Sequence, residues 1–158
     1  MQELTPITLL AATFFIPALT PSQEWPRFRG QNGAGTSEST GLPTSFGPEE
    51  NLRWRIALPP GHSSPVLADA VVFLTGADEQ GLVVLCCERE AGVLRWERRL
   101  ERTRAQEVYP ANGSATPTPT TDGHNVYAFF PELGLVSFDV QGKERWRLPL
   151  GPFTSFYG

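Results

Sequence analysis

Leu135-Val-Ser-Phe-Asp-Val-Gln-Gly-Lys-Glu-Arg-Trp-Arg-Leu-Pro-Leu150 decides the fold: an apolar run, an acidic residue, a turn closed by glycine, then a tryptophan four residues on. The same form stands upstream, as Leu82-Val-Val-Leu-Cys-Cys-Glu88 followed by Gly92-Val-Leu-Arg-Trp96-Glu-Arg-Arg-Leu100. A third copy keeps only its end, Trp54-Arg-Ile-Ala-Leu58. Ahead of the two fuller copies, Ser64-Pro65-Val66 matches Thr118-Pro119-Thr120, and Val72-Phe73-Leu74 matches Val126-Tyr127-Ala128. Four elements recur in one order, so the chain is a repeat.

Each element has a physical reading. A Ser/Thr-Pro start suits a strand whose first residue needs no ladder donor. Val-Phe-Leu and Val-Tyr-Ala are the β-branched and aromatic residues that a pleated surface accepts. Asp122-Gly123 is a turn pair, with Ala68-Asp69-Ala70 in the matching place. Glu88 to Gly92 and Asp139 to Gly142 read as acidic turns closed by a glycine at positive φ. The tryptophan falls on the last strand, where a large ring covers the gap to a neighbouring sheet. The unit is a four-stranded antiparallel meander, and the tryptophans lie 42 and 50 residues apart. Such a period is that of a propeller blade.

The reading is therefore all-β: a partial β-propeller of two four-stranded blades, about 63–100 and 115–150, within an incomplete propeller over 51–158. Asn51 to Leu58 is a lone outer strand, as expected where the start of a chain completes the last blade. Two blades do not close a ring, which usually takes about 4–8, so the sequence is expected to continue past Gly158 in a larger one. Residues 101–114 form an insertion, with Tyr109-Pro110 at its far end, and rim loops of this kind carry partner contacts.

Fifteen Gly and fifteen Pro in 158 residues fit many short strands and exclude a helical protein. A net charge of −4 gives no general attraction to a phosphate backbone, so nucleic acid is not expected as a partner. Ile7 to Leu19 is apolar and uncharged, too short to span a bilayer and the size of a signal-peptide core. Residues 1–22 are read as a signal peptide, implying a periplasmic or secreted protein. Glu3 and the absence of Lys or Arg ahead of the run leave a buried first strand or a misplaced start codon open. Residues 23–50 are an irregular leader.

Glu88 to Trp96 and Asp139 to Trp146 resemble the repeat of quinoprotein (PQQ-type) β-propellers. The leader Trp25-Pro-Arg-Phe-Arg-Gly30-Gln-Asn-Gly33-Ala-Gly35 resembles the N-terminal segment of PQQ-binding-like proteins related to the assembly factor BamB, and Gly61-His-Ser-Ser-Pro-Val66 their first blade. The resemblance spans residues 25 to 158. It implies an eight-bladed propeller and a non-catalytic module that binds a protein or envelope component through its loops, with no cofactor. The alternative it implies is the N-terminal fragment of an alcohol or sugar dehydrogenase that uses PQQ and calcium. Gly92, Gly142, Trp96 and Trp146 carry over as architecture, so no catalytic, cofactor or metal residue is assigned.

Individual candidates fare accordingly. Cys86-Cys87 is the pair that, in quinoprotein alcohol dehydrogenases, would pack on the quinone as a vicinal disulfide. It sits inside a strand, though, where consecutive side chains diverge, and reads as core. His62 and His124 lie in separate turns without zinc spacing. Ser63, Ser64 and Ser114 lack a nucleophile elbow. Gly33-Ala-Gly35 lacks the Lys-Ser/Thr and preceding strand of a phosphate loop. Glu49-Glu50, Asp78-Glu79 and Glu88 lack calcium-loop spacing. The five arginines from Arg95 to Arg104, interleaved with Glu97 and Glu101, read as a solvated face. Asn112-Gly-Ser114 is a sequon or simply a turn.

Overall fold

Alternating β-branched and aromatic side chains give strands in both copies. The computed structural model describes residues 24–105 and 112–154, and in them eight strands form two four-stranded antiparallel sheets. The first runs β1 (Val66–Ala68), β2 (Val71–Asp78), β3 (Gly81–Glu88) and β4 (Leu94–Leu100) in sequence order. The second repeats it with β5 (Thr120–Thr121), β6 (Asn125–Phe130), β7 (Gly134–Asp139) and β8 (Glu144–Pro149). Both first strands begin directly after their proline, where no ladder donor is lost. Residues 1–23, with the apolar run, and Tyr109-Pro110 lie outside the described residues.

The registers match down to an irregularity that sequence reading missed. Cys86 faces Trp96 and Cys87 faces Leu94, leaving Arg95 as an extra residue on β4. Ser137 faces Trp146 and Phe138 faces Glu144, leaving Arg145 extra on β8. A bulge bends its strand and re-aims the next side chain. In both sheets that side chain is the tryptophan.

The two sheets share one core. Phe73, Val84, Cys86 and Trp96 of the first pack with Val126, Phe130, Val136 and Phe138 of the second. The Trp96 ring stands between Phe73 and Phe138, with centroids 6.0 and 5.9 Å away. The sheets approach each other at β1 and β5, their first strands. Their first strands lie together, and Trp96 of the fourth strand fills the gap between the two sheets. Antiparallel order puts the β2–β3 and β6–β7 hairpins, with residues 101–105 and 112–119, on one rim. The turns at 69–70, 89–93, 122–124 and 140–143 lie on the other.

Trp96 is seated by the neighbouring sheet's turn. Its indole Nε1–H donates to Val140 O at 2.9 Å, and a Cβ on Gly142 would come within 2.7 Å of the ring. Gly142 therefore serves twice, with φ of 80° and no side chain to strike the indole. Arg98 adds a bond from Nε to Gly142 O at 2.6 Å and lies over the Trp96 ring. Residues 51–58 pair with no strand, yet Trp54 repeats the seat: its Nε1–H donates to Arg89 O at 2.9 Å and its ring lies on Gly92.

Candidate functional site

Cys86 and Cys87 are both free and both fully buried in β3, a small apolar pair in the core. Burial pushes the Cys86 thiol up to about 12, against a weaker opposing pull from Arg95, and it raises Cys87 as well. Both are thiols and not thiolates at neutral pH, which makes them poor nucleophiles.

The remaining candidates are scattered among structural tasks. His62 donates its backbone N–H to Ala115 O, and His124 its own to Asp122 Oδ1. Ser63 Oγ bonds Thr75 O, and Ser64 N–H donates to Thr118 Oγ1 across the sheets. Glu50 closes a small turn with Gly47 and accepts from Ser45 Oγ at 2.6 Å. Asp78 takes both bonds from Arg99 Nη1 at 2.9 Å, which holds its carboxyl below the ordinary range, and its Oδ1 caps Gln80 N–H. Gly113 and Thr116 close the sequon into a turn, and Gly35 N–H donates back to Arg29 O.

The arginine stretch is paired along its length. Arg95 meets Glu88, Arg99 meets Asp78 and Glu97, and Arg104 binds the carbonyls of Pro131 and Leu150. Exposed pairs of this kind contribute little individually, about 0–1 kcal/mol. They tie the start of the insertion to the hairpins beside it.

What the residues do bring together is a cavity of about 420 Å³ on the loop rim, walled by Pro60, His62, Asp78, Glu79, Arg102 and Ser114. Behind it lies a carboxylate that sequence reading missed. Glu132, in the β6–β7 hairpin, is only 4% exposed. Ser114 Oγ donates to its Oε1, Arg102 Nε stands 3.8 Å from that oxygen, and Thr103 bonds its backbone carbonyl twice. Its Oε2 is buried with no partner among the described residues. A hairpin Glu is ordinarily solvated, so nothing in the residue order marked this one.

A quinone with calcium needs a channel face and oxygen donors converging on the metal. Among the described residues no three His, Cys, Asp or Glu side chains come together as a metal cluster. The cysteines lie on the third strand, two removed from the inner edge. At that edge, Leu67 of β1 is paired with Trp25, and Thr121 of β5 donates to Pro26 O. The described residues of this chain do not fit the group.

Among the described residues no helix is long and apolar enough to cross a membrane. A search of curated proteins finds no match. A family profile described as outer membrane protein assembly factor BamB matches residues 48–155.

Proposed function

This chain belongs to the family of the outer membrane protein assembly factor BamB, and from that membership we propose that it works as a non-catalytic, exported β-propeller module. In this reading residues 1–22 are the export signal, residues 23–50 the leader and residues 51–158 part of a larger ring. The module binds a protein or another component of the cell envelope through the rim that carries the 101–114 insertion. The observation that carries the reading is where the shared residues go. Trp96 and Gly142 seat one sheet on the next, and Gly92 gives Trp54 of the preceding segment the same seat. The cavity, by contrast, belongs to rim loops that a rigid scaffold positions.

The test is site-specific crosslinking in the envelope of the producing cell. A photo-crosslinker at Glu79, on the cavity rim, should give a discrete adduct, and one at Gly123, on the opposite rim, should give none. Equal labelling from both rims, or none from Glu79, contradicts the reading. Alcohol oxidation that depends on added PQQ and calcium would replace it with the dehydrogenase reading.

A further inference from the structure

We infer that the leader is a built-in clasp: the dipeptide Trp25-Pro26 lies as an added innermost strand shared by both blades and closes their channel-side edges. A first strand at a sheet edge has N–H and C=O groups facing outward without partners. Here the chain supplies those partners itself. Leu67 N–H donates to Trp25 O at 2.9 Å, and Trp25 N–H returns a bond to Leu67 O at 3.2 Å. One residue on, Pro26 O accepts from Thr121 N–H at 2.9 Å and from Thr120 Oγ1 at 3.0 Å. A single dipeptide thus bonds β1 of one blade and β5 of the next.

The residues after it hold that dipeptide in place. Gly30 N–H donates to Arg27 O at 2.9 Å and Gly35 N–H to Arg29 O at 2.8 Å, folding the segment back on itself. The Trp25 ring rests on Gly30, where a Cβ would stand 2.7 Å from Cε3. Gly30 has φ of 72°, so an L side chain there is both strained and obstructed. The pattern Trp25-Pro-Arg-Phe-Arg-Gly30 thereby acquires a purpose: the glycine seats the ring, and the ring fixes the strand. A group approaching these blades from the axis meets leader backbone instead of open sheet edges.

This inference rests on the radial arrangement in the proposed function, and it is tested separately by amide hydrogen exchange on the full chain. Leu67 and Thr121 amides should exchange slowly in the unaltered protein. Gly30→Ala and Gly33→Ala form a matched pair. Both glycines have positive φ, but a Cβ on Gly33 meets nothing within 4 Å. Gly30→Ala should speed Leu67 and Thr121 exchange together by at least tenfold while Phe73 and Val84 are unchanged. Gly33→Ala should leave all four as they were. Should Gly30→Ala not fold, Trp25→Ala, which removes the ring and keeps the backbone, should show the same paired acceleration. Added PQQ with calcium should leave both amides protected. The clasp is overturned if either amide exchanges in the unaltered protein as fast as one in an open loop, if the variants open only one of them, or if PQQ with calcium releases them. PQQ-dependent oxidation with both amides still protected would undo the proposed function and leave the clasp standing.

Discussion

The two blades share register and bulge, yet their tryptophans differ: Trp96 is 8% exposed, while Trp146 is 43% exposed. Both follow the same turn, face the third strand at the matching position and sit just past an extra arginine. What separates them is the neighbour. Trp96 meets Gly142 and Val140 of the next sheet, whereas among the described residues no glycine turn packs on Trp146, whose ring rests on Tyr127 at 5.9 Å. Trp54 makes the converse point, since it keeps its seat on Gly92 without belonging to any sheet. The seat is a property of the receiving turn and not of the strand that delivers the ring.

That contrast has consequences of graded size. The largest is in thermal or chemical unfolding: Trp96→Ala should cost about 3–5 kcal/mol, as truncation of a buried large aromatic does. Trp146→Ala, which gives up one partly exposed ring contact, should cost about 1 kcal/mol. Equal losses would mean that the neighbouring sheet contributes nothing to the difference.

A smaller effect of opposite sign comes from the position opposite each tryptophan. The first blade places Cys86 there and the second Ser137, both fully buried. A thiol tolerates that setting, but Ser137 Oγ has no hydrogen-bond partner among the described residues. Ser137→Ala should therefore raise stability by about 1 kcal/mol in a denaturant titration, by removing an unsatisfied buried hydroxyl. A loss of stability would show that the hydroxyl has a partner.

The smallest effect concerns the turns at 69–70 and 122–124. Asp122 accepts bonds from His124 N–H, Asn125 N–H and, at 2.6 Å, Tyr127 Oη–H, while the first blade has Phe73 in place of the tyrosine. The Tyr127 bond, followed by those backbone donors, holds the Asp122 carboxyl well below the ordinary range. A depressed carboxylate stabilises above its unfolded value and loses that contribution as pH falls through the folded one. Tyr127→Phe should therefore move the Asp122 titration, followed by carboxyl carbon shifts, to higher pH. Its melting temperature should fall less on acidification than that of the unaltered chain, because a smaller shift from the unfolded value carries less pH-dependent stability. An unmoved titration would assign the depression to the backbone donors and the Asn125 side-chain amide.

The all-β class and the four-element unit were legible because strand, turn and tryptophan recur in fixed order. Gly92 and Gly142 were legible as turn residues. Their second role, as the floor for a ring 38 and 46 residues earlier in the chain, needed the packing. The extra residue at Arg95 and Arg145 was hidden because a bulge alters spacing without altering residue type. Glu132 was hidden because burial of a hairpin carboxylate depends on what folds over it, here Ser114 and Arg102. The Trp25-Pro26 contacts were out of reach for the same reason: Trp25 meets Leu67 and Pro26 meets Thr121, far apart in the chain.

Solvent exchange of the indole N–H groups, read by NMR in the unaltered chain and in Gly142→Ala, tests the seating of one sheet on the next most directly. The unaltered chain should show Trp54 and Trp96 protected and Trp146 exchanging freely. Gly142→Ala should release Trp96 alone, because the added methyl meets its ring while the Gly92 seat is untouched. Protection of Trp96 surviving that substitution, or three indoles exchanging alike from the outset, would contradict the account.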